Sequence, residues 1–107
     1  MSGAEHRRHE RARVDIVVPW GRSKECYEMD RMTSFSAGGC FLQTERTAEP
    51  GAEVYIKFWV PEEKTIRCAV RYQLERIGMG LEFTGLSDGE RQVLGGLADD
   101  YRRAFAQ

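Results

Sequence analysis

The sequence predicts a mainly β protein, a small antiparallel β-barrel carrying one C-terminal α-helix. Three observations lead there. Short segments repeat an apolar alternation of period two, which places successive side chains on opposite faces of a strand. Turn residues separate these segments at short intervals. Only near the C-terminus does the apolar spacing widen to three and four, the period of a helix.

Residues 1–12 are polar and charged without apolar periodicity, and are expected to form a flexible basic N-terminal arm. Residues 13–107 are expected to form one barrel domain with its helix. Val14, Ile16 and Val18 alternate up to Pro19-Trp20-Gly21, a strand followed by a turn. A second strand is expected from about Lys24 to Thr33, with charged residues among Cys26, Tyr27, Met29 and Met32. It runs into a bend over Ser34 to Gly39. Cys40 to Thr44 reads as a third strand, and Glu45 to Ala52, with Pro50-Gly51, as a loop.

Val54, Ile56, Phe58 and Val60 alternate with Tyr55, Lys57 and Trp59, as a half-buried strand requires. Pro61 to Lys64 turns the chain, and Ile66, Cys68, Val70 and Tyr72 repeat the pattern. Met79, Leu81 and Phe83 supply one more strand. Ser87 and Glu90 have the spacing of a capping box, in which each side chain accepts the other residue's backbone N–H. Val93, Leu94, Leu97, Tyr101 and Phe105 then mark the apolar stripe of a helix packed on the barrel surface or across an open end.

Composition narrows the function. A chain of 107 residues makes one domain, able to bury about two thirds of the surface its unfolded form exposes. A net charge of -1 and a pI near 6.1 argue against a general binder of nucleic acid or anionic membrane, which carries a marked basic excess. Any anion site is therefore local, and Arg7, Arg8, Arg11 and Arg13 form the one strongly basic stretch. The N-terminus lacks the apolar run of a secretory signal, and Val54 to Val60 is far below the roughly 20 residues of a membrane-spanning helix. Cys26, Cys40 and Cys68 are odd in number and widely spaced, which suits reduced thiols in a cytoplasm.

Two segments carry the chemistry. Arg7-Arg8-His9-Glu10-Arg11 offers guanidinium groups whose forks match phosphate oxygens and whose planes lie against an aromatic base. Ser34-Phe35-Ser36-Ala37-Gly38-Gly39 offers hydroxyls and backbone amides at a glycine-rich bend. Together they suit a phosphate-bearing ligand, and a phosphorylated guanine compound would use both properties of arginine. Taken singly, the first is an ordinary solvated charge run and the second an ordinary turn.

The order and spacing of these segments resemble the PilZ domain, the bacterial receptor family for cyclic di-GMP, whose pattern is R-x-x-x-R followed by [D/N]-x-S-x-x-G. Arg7 and Arg11 match the first element, and Ser36 and Gly39 the serine and glycine of the second. Ser34 stands where the family has Asp or Asn. Cys40-Phe41-Leu42, Pro50-Gly51 and Gly80-Leu81-Glu82-Phe83 extend the likeness over nearly the whole chain. The resemblance implies a PilZ-like barrel that binds cyclic di-GMP without catalysis, with no other cofactor, and signals through a protein partner. It implies that Arg7 and Arg11 contact phosphates and guanine, with Arg8 as an auxiliary contact and Ser34, Ser36 and Gly39 beside the ligand. The alternative is a protein-interaction adaptor that keeps the fold without useful nucleotide affinity.

Other chemistry finds little support. No Cys-x-x-Cys accompanies His6 and His9, which disfavours zinc. No nucleophile and base stand at a recognisable catalytic spacing. Cys26 and Cys68 read as small core residues, whereas Cys40, after two glycines, is expected to be partly accessible. Tyr55 and Trp59 face away from the core, one expected beneath the helix and the other exposed. Asp30 does not replace a carboxylate at position 34, because four extended residues put it about 13 Å away.

Overall fold

The computed structural model describes residues 10–59 and 62–104, and for Trp59 the backbone alone. These residues form β1 (Ala12–Gly21), β2 (Glu28–Phe35), β3 (Gly39–Gln43), β4 (Glu53–Trp59), β5 (Glu63–Leu74), β6 (Gly78–Phe83) and α1 (Asp88–Ala104). All the strand pairs are antiparallel, and the order β1-β2-β3-β6-β5-β4 closes into a barrel. Closure leaves no long edge open to pairing with another chain. Its last seam is short, Trp20 opposite Ile56 and Gly21 opposite Tyr55.

The alternating residues fill the interior as expected. Val54, Ile56 and Phe58 of β4, Ile66, Cys68 and Val70 of β5, and Met79, Leu81 and Phe83 of β6 are buried. Phe35 lies among them, edge-on to Phe58 at 5.2 Å and to Tyr101 of α1 at 5.7 Å. Removing such a ring costs about 3–5 kcal/mol, a large part of the 5–15 kcal/mol that holds a domain of this size together.

The helix starts on its capping box. The Ser87 N–H donates to Glu90 Oε1 at 2.9 Å, and the Glu90 N–H donates to Ser87 Oγ at 3.1 Å. The Lys64 ammonium also binds Glu90; chiefly through that bond, and then through the Ser87 N–H, the Glu90 carboxyl is held below its ordinary pKa. Leu94 and Ala98 enter the core, with Leu97 and Tyr101 packed beside them. Val93 stays 44% exposed, so the buried stripe runs through Ala98 instead. Phe105 lies outside the described residues. Among the described residues no helix is long and apolar enough to cross a membrane.

Several boundaries shift from the sequence reading. The second strand starts at Glu28, because the polar run after Gly21 turns: the Cys26 N–H donates to the Ser23 carbonyl, with Cys26 at φ 55°. Ala12 already belongs to β1 and is fully buried. Cys40 is fully buried too, since Gly39 carries the chain straight into β3. Tyr55 is half-buried, its hydroxyl donating to Glu53 Oε2 at 2.7 Å.

Tyr72 departs most. Val70 pairs with Leu81 but Tyr72 with Gly80, so β5 spends two residues where β6 spends one. This bulge turns Tyr72 out of the Val70 face, leaving it 46% exposed.

Candidate ligand-binding groove

Three register shifts converge on one outer face of the barrel. β1 slips against β2 between Arg13 and Ile16, β2 against β3 between Met32 and Ser34, and β5 against β6 between Val70 and Tyr72. Each extra residue re-aims a side chain outward while its neighbours remain in the core. In β2, Met32 and Phe35 are both buried three residues apart, and the bulge releases Thr33 and Ser34 to the outside. The result is a groove of about 750 Å³ lined by Arg11, Arg13, Val14, Thr33, Ser34, Phe41 and Tyr72. That volume lies within the usual range of small-ligand sites, about 300–1,000 Å³.

Its charge is one-sided. Among the described residues, two guanidinium groups line it and no carboxylate does. Two smaller depressions elsewhere contain acids, Glu28 in one and Asp30 with Glu45 in the other. Asp30 also accepts the Trp20 indole N–H at 2.8 Å, which holds it away from the groove.

The two motif segments meet here. Arg11 Nη1 donates to Ser34 Oγ at 3.0 Å across 23 residues of sequence. The guanidinium also bears on Cys40 beneath: burial pushes that thiol up to about 12, while Arg11 pulls the other way.

Ser36 and Gly39 are not among the described residues that line this groove. Ser36 is buried, and its Oγ accepts the Gly38 N–H at 3.1 Å. The Ser36 N–H donates to the Gly39 carbonyl at 2.8 Å, and the Phe83 N–H to the Gly38 carbonyl at 2.9 Å. A Cβ on Gly39 would stand 2.0 Å from the Leu81 carbonyl oxygen, so the close approach of β3 to β6 demands a glycine there. These two residues shape the bend that presents Ser34. Arg7, Arg8, His6 and His9 lie outside the described residues.

α1 is tied to both segments. Arg91 Nη1 donates to the Ala37 carbonyl at 3.1 Å, and Arg102 pairs with Glu10 at 2.6 Å. Among the described residues no cluster of His, Cys, Asp and Glu side chains could hold a metal ion.

Sequence reasoning missed Arg13, Thr33, Phe41 and Tyr72 as lining residues. A signal was present in Gly78 and Gly80, because glycine within a strand marks the close approach of another group. Here it is the two rings: a Cβ on Gly78 would lie 2.5 Å from Phe41 Cζ, and one on Gly80 2.3 Å from Tyr72 Cε2.

The PilZ domain profile matches residues 5–99. The chain belongs to the PilZ family. Comparison with curated proteins gave no match. Among solved structures, this PilZ domain is similar to the Bacillus subtilis inhibitor of motility MotI/DgrA, with a TM-score of 0.76 and 18% identity over 94% of this chain and 53% of that one. It is also similar to MrkH of K. pneumonia, solved as a complex with c-di-GMP, with a TM-score of 0.68 and 16% identity over 94% of this chain and 54% of that one. The PilZ domain thus spans about half the length of each, and at these identities the likeness is one of fold.

Proposed function

We propose that this PilZ domain is a non-catalytic receptor for cyclic di-GMP, acting in the bacterial cytoplasm and passing the signal to a protein partner. The observation that carries the reading is the meeting of Arg11 and Ser34, one from each half of the family motif, on a groove whose lining among the described residues is cationic and free of carboxylates. A diester anion suits such a groove, because guanidinium forks bind phosphate oxygens with charge assistance. Membership of the family supports the same ligand.

Arg11 and Arg7 take the phosphates and a guanine face, and Arg8 adds a contact from the arm. Ser34 offers one neutral hydrogen bond to the guanine edge, while Ser36 and Gly39 fix the bend that carries it. As the arm closes over the ligand, Glu10 and the Ala37 carbonyl carry the change to α1 through Arg102 and Arg91. The chain from the arm to the end of the helix forms one functional unit.

The adaptor reading rests on Ser34, where no carboxylate grips the guanine edge. Limited trypsin digestion separates the two. A receptor's Arg7 and Arg8 sites become protected on addition of cyclic di-GMP, less so at high salt, because the contacts are partly electrostatic. Cleavage of the folded protein that is unchanged at millimolar cyclic di-GMP favours the adaptor.

A further inference from the structure

The floor of the groove has its own chemistry. Phe41 on β3 and Tyr72 on β5 reach toward each other across β6, with ring planes 29° apart and centroids separated by 6.2 Å. Face-to-face contact brings carbon atoms to about 3.5–4.0 Å, so rings at this separation are displaced sideways. Both rings line the groove. Gly78 and Gly80 beneath them leave space that any side chain would fill. Tyr72 is on the outside only because of the β5 bulge, and an unbroken strand would turn it inward with Val70. Two bulges on the opposite wall bring Arg13, Thr33 and Ser34 to face these rings.

We infer that Phe41 and Tyr72 are the base-stacking platform of the groove, taking the flat face of a purine whose phosphate is held by Arg11 and Arg13. The inference rests on the nucleotide reading above and deepens it. A purine is a flat π-system that gains from aromatic contact whatever its edge groups. Its phosphate falls toward the charges that line the groove among the described residues, both positive. Stacking then supplies affinity where Ser34 supplies just one neutral hydrogen bond. The platform selects for an aromatic base, and the arginines select for the anion.

The test is titration of the full chain with cyclic di-GMP, following heat and the guanine H8 resonance by NMR. In the wild type, H8 moves upfield in the ring current of the platform. Tyr72→Leu and Phe41→Leu, each verified as folded by its melting temperature, should bind roughly 5- to 150-fold more weakly and lose the upfield shift. Tyr72→Phe should keep both. The Leu variants lose no charge, so the salt dependence of their binding should match that of the wild type. If both folded Leu variants bind like the wild type with the H8 shift intact, the platform is overturned and the receptor reading stands. If the wild type itself binds no cyclic di-GMP, the receptor reading fails and takes the platform with it.

Discussion

Replacing Ser34 by Asp should tighten cyclic di-GMP binding by about 10- to 100-fold. In the free protein the Ser34 hydroxyl accepts from Arg11 at 3.0 Å, at an exposed position. A hydroxyl makes one neutral bond to a guanine edge, whereas a carboxylate accepts two donors with charge assistance. The difference is about 1–3 kcal/mol, and each 1.4 kcal/mol is a factor of about ten in affinity. The free protein gains less, since a solvent-exposed Asp–Arg11 pair contributes about 0–1 kcal/mol, or at most roughly 4–8 °C in melting temperature. Affinity should therefore rise further than stability. Isothermal calorimetry on the wild type, Ser34→Asp and Arg11→Ala at two salt concentrations provides the comparison. Unchanged affinity in Ser34→Asp, together with loss of binding in Arg11→Ala, would refute the guanine-edge argument and leave the arginine argument intact.

Gly39→Ala should destabilise the barrel itself, because its new methyl would stand 2.0 Å from the Leu81 carbonyl oxygen and push β3 from β6. Overpacking of this kind costs about 1–3 kcal/mol, seen by calorimetry as a fall of roughly 4–20 °C; a variant of wild-type stability that has lost ligand would make Gly39 a ligand contact instead. The buried thiols predict an alkaline limit. Burial raises Cys40 to about 12 from an ordinary 9.0 and raises Cys68 as well, so the unfolded chain gives up these protons first. Stability should hold below about pH 9 and decline as pH rises toward 12. The decline should be shallower in Cys40→Ala, and equal slopes in chemical denaturation series would exclude the thiol as its source.

The barrel was legible because period-two alternation states which side chains are buried, as in Val54, Ile56 and Phe58. The helix start was legible because Ser87 and Glu90 satisfy each other's backbone within four residues. Bulges were not, since one inserted residue looks in sequence like a continuing alternation. Tyr72 follows Val70 at the correct interval for the core, and only the pairing of β5 with β6 turns it outward. The motif was legible as to which residues meet, Arg11 and Ser34. It placed Gly39 beside the ligand and gave no sign of the close approach of Gly39 to the Leu81 carbonyl, because that contact depends on a strand some forty residues away. Cys40 was misjudged because Gly39 already belongs to β3, whose Cys40 faces the core. Ala98 was passed over because its small side chain adds little to an apolar stripe, although it sits in the core.

The most direct test of the receptor claim is a calorimetric titration of the full chain with cyclic di-GMP at low and moderate salt. The account requires saturable binding that weakens as salt rises, since guanidinium–phosphate contacts are screened, and that disappears in Arg11→Ala while the melting temperature stays near the wild-type value. Absence of binding by the folded wild-type chain at either salt would contradict it. So would binding that Arg11→Ala leaves unchanged, because the groove where Arg11 meets Ser34 would then not be the site.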